Sequence, residues 1–421
     1  MEPGASRRLR LAMLHYTAPP IVGGVESTIY HHARLLAEAG CGVLVASGRG
    51  ERFHPMVSFR TVPEMDSRHP EVLEAGKELA QGEVTERFTG LRDRLVESLR
   101  PLLSGVDVCI VHNVTTLHKN IALTAALKRM SDERVARFLS WSHDFAWRDP
   151  LYTGDLHHGY PWNVLRSPWS GVRYVAVSDH RRKTMADLLG IPESEIRVIH
   201  PGVEISQFLK LAPLTWNLAE KLGLLGADPL MLLPSRITRR KNIEFAVRVT
   251  AELRRHKPDA TLVVTGPPGP HNPANVRYLM ELKELCARLG VSDRVCFLHE
   301  QGEGGAPLHL SDEVVADFYQ LADLLLFPSF REGFGIPVLE AGLARVPIFA
   351  ADIPPLRESA GDLAHFFDPH GDPGHAAVSI AGFLEGDPRY RLRRRVLERF
   401  TWSAVVKDHV LPLLQEVSAH E

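Results

Sequence analysis

Two glutamates, Glu332 and Glu340, bracket two glycines and a proline in the stretch SFREGFGIPVLEAGLA, residues 329–344. Carboxylates paired in this way can ligate a metal, work as acid and base, or hold hydroxyl groups. Gly333 and Gly335 are poor residues for a helix interior, whereas Pro337 suits a first helical turn. Glu332 is therefore expected on a loop, and Glu340 about one turn into a helix. The backbone amides of Phe334, Gly335 and Ile336 would then point outward at the helix start, where an anion is favoured. Glu340 would stand beside such an anion and could accept hydrogen bonds from sugar hydroxyls. Both acids also suit a helix start on dipole grounds alone.

Cations stand about a hundred residues earlier, in SRITRRKN. Arg236 and Lys241 lie across an expected strand-to-helix turn. Two cations at the carboxyl end of a strand suit a diphosphate, which is multiply charged and accepts several hydrogen bonds. Arg239 and Arg240 compete for that role, and a solvated helix start is the alternative. Near the N-terminus, LAMLHY runs into TAPPIVGGVEST and then a helical pattern. The Gly23-Gly24 pair would let backbone approach a ligand closely, or make a plain turn. The pattern is not GxGxxG, so a nicotinamide or flavin site is poorly supported. His143 ends the apolar run ARFLSWSH, a place for either a ligand contact or a structural histidine.

The elements that must position these residues alternate along the chain. Short apolar runs (LRLAMLHY, GVLVASG, VDVCIVHN, ARFLSWSH, RYVAVSD) are separated by amphipathic stretches such as ESTIYHHARLLAEAG. This alternation predicts βαβ units and a parallel sheet. Residues 51–100 are less regular, although ERFTGLRDRLVESLRPLL looks helical. Past Pro201-Gly202 the sequence is irregular, and alternation restarts with PLMLLPSR, ATLVVTGP, DRVCFLHE and DLLLFPS. The fold class expected is α/β, with two Rossmann-like doubly wound domains, 1–205 and 206–401, facing each other across a cleft. In such sheets ligands sit outside the carboxyl ends of the strands. RFTWSAVVKDHVLPLLQEV reads as one final helix, and PPGPHNPAN at 267–275 as a loop.

Composition excludes several classes. Hydrophobic residues are 44% and charged residues 24%, which allows a sizeable core. The net charge of -2 argues against a nucleic-acid binder, which would carry a basic excess. Basic runs such as Arg7-Arg8, Arg181-Arg182-Lys183 and Arg393-Arg394-Arg395 read as solvated faces. Cys41, Cys109, Cys286 and Cys296 are scattered without a CxxC pair, as expected of free thiols in a reducing compartment. There is no HExxH or DxD-type site, so no metal is expected. No apolar run is long enough to span a bilayer, and no leader segment is visible. The expected location is cytoplasmic, with a surface contact to membrane left open.

Taken together, these stretches resemble the retaining, GT-B-fold glycosyltransferases of family four. The resemblance runs through GGVES, SHD at 142–144, VSDH at 177–180, VIHPGVE at 198–204, SRITRRKN, VVTGP and DRVCFL. Its most specific part is FPSFREGFGIPVLEAGLARVP, with the family's E-x7-E spacing as Glu332 and Glu340.

The resemblance implies transfer of a hexosyl group, with retention, from a nucleotide-diphosphate sugar to a hydroxyl acceptor. That acceptor is a sugar, a small polyol or acid, a lipid-linked glycan or a polysaccharide. It implies no metal and no cofactor beyond the donor co-substrate. By position, Arg236 and Lys241 would bind the donor diphosphate and stabilise it as it leaves. Gly23 and Gly24 would form the loop over the donor phosphates and acceptor, and His143 would lie beside the transferred sugar. Glu332 would hold sugar hydroxyls, while Phe334, Gly335 and Ile336 would offer amides. Glu340 would bind the ribose. The helix at about 402–421 would cross back to the first domain. Rival readings are a non-catalytic nucleotide-sugar-binding module, or a GT-B relative with epimerase or phosphorylase chemistry. The chain departs from the family pattern at Ala344-Arg345, at PPLRESAGD and in the long PPGPHNPAN loop.

Overall fold

The computed structural model describes residues 8–270 and 272–419. Arg7 of the first basic run, His271 of the proline-rich loop and the last two positions of the expected final helix lie outside the described residues. The chain divides into two compact units, Met1–Val203 with Phe400–Glu421, and Glu204–Arg399.

The first unit holds seven strands: β1 (Arg10–Thr17), β2 (Gly42–Arg49), β3 (Val57–Thr61), β4 (Val108–His112), β5 (Arg137–Ser142), β6 (Arg173–Ala176) and β7 (Ile196–Val198). Their order is β3-β2-β1-β4-β5-β6-β7 and every pairing is parallel. The chain steps outward from β1 to β3, then returns to the other side of β1, so the topological switch lies between β1 and β4. Such a sheet is covered on both faces, which is why β1 and β4 are buried almost throughout. One face carries the helices Pro70–Ala80, Glu86–Leu103 and Ile121–Asp132, packed on Ala12, Leu14, Cys109 and Val111. The other carries the helix Gly24–Glu38, packed on Leu11, Met13 and Ile110.

The C-terminal segment belongs to that second face. Val405, Val410, Leu414 and Val417 join the same core. This run is not one regular helix. A π-helical turn, Val406–Val410, separates Trp402–Val405 from Leu411–Ala419. Pro412 stands two residues past this turn, and proline lacks the N–H that a regular helix would use there. Where the chain leaves and re-enters the unit, the Val203 N–H donates to Phe400 O at 2.8 Å.

The second unit holds β8 (Leu230–Leu233), β9 (Thr261–Val264), β10 (Val295–Phe297), β11 (Leu324–Phe327), β12 (Ile348–Ala351) and β13 (His365–Phe367). Their order, β10-β9-β8-β11-β12-β13, is again all parallel, with the switch between β8 and β11. Four-residue strands such as LMLL, TLVV and LLLF are wholly buried, and so they read as continuous apolar runs rather than alternating ones. Two cores, one on each face, sandwich the sheet. All four cysteines are free and buried. Among the described residues no helix is long and apolar enough to cross a membrane.

Candidate functional site

In the second unit, Arg236, Arg239, Arg240, Lys241, Arg331 and Glu332 follow the carboxyl ends of β8 and β11, the strands that flank the switch. After β8 the chain makes a tight turn, Arg239–Lys241, and begins the helix Ile243–Leu253. Asn242 between them is left-handed at φ 52°, and its side-chain amide donates to Pro369 O at 3.0 Å. That geometry turns Lys241 inward. Its Nζ lies 2.5 Å from Glu332 Oε1 and 4.9 Å from the centre of the Phe327 ring. Burial lowers the Lys241 pKa, and the Glu332 carboxylate partly offsets that.

Arg240 ties the two loops together from outside. Its Nη1 donates to Glu332 Oε2 at 3.3 Å and to Arg331 O at 3.2 Å, and its carbonyl accepts from Phe330 N at 2.9 Å. Arg239 points elsewhere, pairing with Glu281 and lying over the Tyr278 ring. Arg236 is exposed, with no hydrogen bond or ion pair among the described residues. Of the cations in SRITRRKN, Lys241 is thus committed to Glu332, Arg239 to Glu281, and Arg236 is free.

Gly335 caps the helix Ile336–Leu343 in a left-handed conformation, φ 95°. A β-carbon there would collide with Leu356. The N–H groups of Phe334, Gly335 and Ile336 have no backbone acceptor among the described residues. They are the orphan donors that every helix start leaves. Glu332 sits on the preceding loop, and Glu340 is on the helix, exposed.

Three polar groups beside this site carried no signal in the reading of the sequence. Tyr319, on the helix Asp312–Leu321, donates from its hydroxyl to Glu340 Oε2 at 2.6 Å. The hydroxyls of Ser235 and Ser329, just past β8 and β11, are buried without a hydrogen-bond partner among the described residues. The repeated Leu-Pro-Ser and Phe-Pro-Ser at the two strand ends was the one trace that could have pointed to the serines.

In the first unit, Gly23 is the extended cap of the helix Gly24–Glu38. A β-carbon on Gly23 would meet the Glu26 carboxylate, whereas one on Gly24 would meet open space. Glu26 folds back to accept from the Thr17 hydroxyl and lies 4.0 Å from His15 Nε2. His143 follows β5 directly. Its N–H donates to Asn113 Oδ1 at 2.7 Å, and Asn113 is itself left-handed at φ 59°. The His143 ring is 6.1 Å from that of His112, and its Nε2 is buried without a partner among the described residues. Burial lowers its pKa to about 4, against the opposing pull of Asp144. The imidazole is therefore neutral near pH 7. Among the described residues no group of three or more His, Cys, Asp or Glu is placed to hold a metal.

Residues 22–207 match the family model described as Glycosyltransferase Family 4, and residues 215–399 match that described as Glycosyl transferases group 1. The chain belongs to this glycosyltransferase family. Within it, the chain is 31% identical over 256 residues to a D-inositol 3-phosphate glycosyltransferase of Nocardia farcinica, covering 59% of this chain and 52% of that protein. It is 24% identical over 281 residues to a mannosylglucosylglycerate synthase of Petrotoga mobilis, covering 62% and 63%. A sucrose-phosphate synthase structure from Thermosynechococcus elongatus is 16% identical, with 98% and 100% covered and a TM-score of 0.39. The chain spans about half the length of the first of these curated relatives that it matches. Glu332 and Glu340, on the loop and helix just described, lie within the matched residues 215–399.

Proposed function

We propose that the protein transfers a hexosyl group, with retention at the anomeric carbon, from a nucleotide-diphosphate sugar to a hydroxyl acceptor. The observation that carries this reading is the cluster at the second unit's switch point. There a free Arg236, a buried Lys241–Glu332 pair and the amides of a helix start without backbone acceptors follow the carboxyl ends of the two central strands. Arg236 and the amides of Phe334, Gly335 and Ile336 would hold the diphosphate. Lys241 would share its charge between that diphosphate and Glu332. Glu332 would accept from sugar hydroxyls, and Glu340 from the ribose.

Bond breaking would leave an oxocarbenium-like sugar and a diphosphate that gains charge. Fixed donors aimed at developing charge are an effective source of catalysis. An oxygen of the departing diphosphate would take the acceptor's proton, so the reaction needs no separate general base. Neutralisation by arginine, lysine and helix amides would do the work that a metal does elsewhere, without a cofactor. We propose that Gly23, Gly24 and the neutral His143 of the first unit serve the same transfer.

The test is a thermal-shift screen of UDP-, GDP- and ADP-sugars, since a ligand that binds only the folded state raises the melting temperature. Transfer is then assayed with the donor found. Stabilisation by one donor class, transfer to a hydroxyl compound and loss of turnover in Lys241→Ala are expected. Undiminished turnover in Lys241→Ala would remove the phosphate-site assignment. Donor binding without transfer to any acceptor would leave a binding module.

A further inference from the structure

Glu340 is an exposed carboxylate on a helix, and water alone would satisfy it. It is nevertheless held from beneath. Tyr319 is 3% exposed, and its ring is buried in the core with Phe318, Leu321, Val338 and Ala341. Its hydroxyl reaches Glu340 Oε2 at 2.6 Å and Pro337 O at 3.4 Å. The ring therefore cannot swing away without vacating a packed site, and the hydroxyl is fixed relative to the helix that bears Glu340. Burial and the adjacent carboxylate push the phenol far above its ordinary range, so it stays a donor at any working pH. An ionised carboxylate accepts only, with about four lone-pair positions on its two oxygens. With one position on Oε2 occupied, rotation of the carboxylate is restrained, and Oε1 and the remaining positions of Oε2 are left for other donors.

We infer that Tyr319 is a positioning residue that sets the orientation of the Glu340 carboxylate for the adjacent hydroxyls of a ribose, so that the protein distinguishes ribonucleoside from deoxyribonucleoside diphosphates. The inference builds on the assignment of Glu340 to the ribose proposed above. A freely rotating carboxylate would still accept from one hydroxyl. A carboxylate held in one plane favours two hydroxyls on neighbouring carbons over a single one.

The experiment is calorimetric titration with UDP, GDP and ADP and with dUDP, dGDP and dADP, for the full chain and the variants Glu340→Ala and Tyr319→Phe. The full chain is expected to prefer one ribonucleotide over its deoxy counterpart by about tenfold or more, as a hydrogen bond to a charged group implies. Glu340→Ala brings that ratio close to one. Tyr319→Phe lowers it at least threefold while affinity for the deoxynucleotide stays within twofold. A ratio lost in Glu340→Ala but unchanged in Tyr319→Phe overturns the inference and leaves the ribose assignment standing. Equal weakening of both nucleotides in Tyr319→Phe overturns it as well, because that is what a merely structural role would produce. A ratio near one in the full chain, a ratio unchanged in Glu340→Ala, or no saturable binding by any of the three overturns both the assignment and the inference. If Tyr319→Phe fails to fold, 3-fluorotyrosine at position 319 keeps the ring and changes the hydroxyl's acidity. A ratio altered at least twofold then supports the inference, and an unchanged ratio overturns it.

Discussion

Lys241 and Glu332 form a buried ion pair, 2.5 Å between Nζ and Oε1, with each side chain less than a tenth exposed. The two residues are 91 positions apart and belong to different loops. Removing Glu332 leaves Lys241 an uncompensated buried charge, which costs about 3 kcal/mol or more, whereas removing Lys241 leaves Glu332 with Arg240 at 3.3 Å and costs less. Lys241→Met and Glu332→Gln should each lower the denaturant midpoint clearly. The double variant should be less destabilised than the sum, by more than about 1 kcal/mol, as expected for residues in contact. Additive losses in a double-mutant cycle would show that the pair is not coupled in solution.

That pairing marks where the reading of the sequence ran out. Arg236 and Lys241 stood together in SRITRRKN, and Glu332 beside Gly333 and Gly335, so each loop was legible by itself. The contact between the loops depends on β8 and β11 being neighbours in the sheet, which a linear pattern does not display. Buried parallel strands such as LLLF and TLVV announced themselves as continuous apolar runs. β3, VSFRT at the sheet edge, alternates and is only five residues long, and β13 is three residues. Neither makes an apolar run that stands out from loop sequence. The helix Pro70–Ala80 was likewise hidden, in a stretch that read as less regular. Tyr319 left no signal, because a tyrosine in an amphipathic helix reads as core until its hydroxyl is seen to reach Glu340.

The glycines around the opening stretch differ in what they require. Gly335 is left-handed at φ 95°, and an added β-carbon would strike Leu356. Gly333 has neither constraint. Gly335→Ala should lose about 1–3 kcal/mol of stability, since strain and collision act together. It should also weaken nucleotide-sugar binding, because the helix start would shift. Gly333→Ala should melt within a degree or two of the parent. Equal melting temperatures for the two variants would mean that the left-handed cap is not needed.

Arg236 and Arg239 offer a paired comparison. Arg236 is exposed and unpaired among the described residues, whereas Arg239 is committed to Glu281 and the Tyr278 ring. Arg236→Ala should leave stability within about 0.5 kcal/mol, as surface substitutions usually do. It should weaken nucleoside-diphosphate binding about tenfold or more, the range for a hydrogen bond between charged groups. Arg239→Ala should leave that affinity within about twofold. Calorimetry with the bound nucleotide decides the matter. A larger loss in Arg239→Ala would exchange the two roles.

Buried and half-buried histidines in the first unit give the protein an acid limit. Burial lowers His15, His31 and His143 to about 4 and His32 to about 3, and takes His112 well below its ordinary value of 6.5. Each ring is thus neutral when folded, while the unfolded chain takes up the proton near pH 6.5. Between about pH 6.5 and 4 the unfolded state holds more protons, so stability rises with pH across that window. It is fully present above pH 6.5 and falls as acid is added, by up to about 1.4 kcal/mol per pH unit for each histidine. At pH 5 a ring whose folded pKa is about 4 removes about 2 kcal/mol, a sizeable part of a typical folding free energy. Trp141, whose ring centre lies 4.8 Å from that of His32, and Trp402, at 5.4 Å, report the change by fluorescence. Urea melts followed at the tryptophans should show a steep fall in midpoint between pH 7 and pH 5. A midpoint that stays level over that range would mean that these rings reach water and titrate alike in both states.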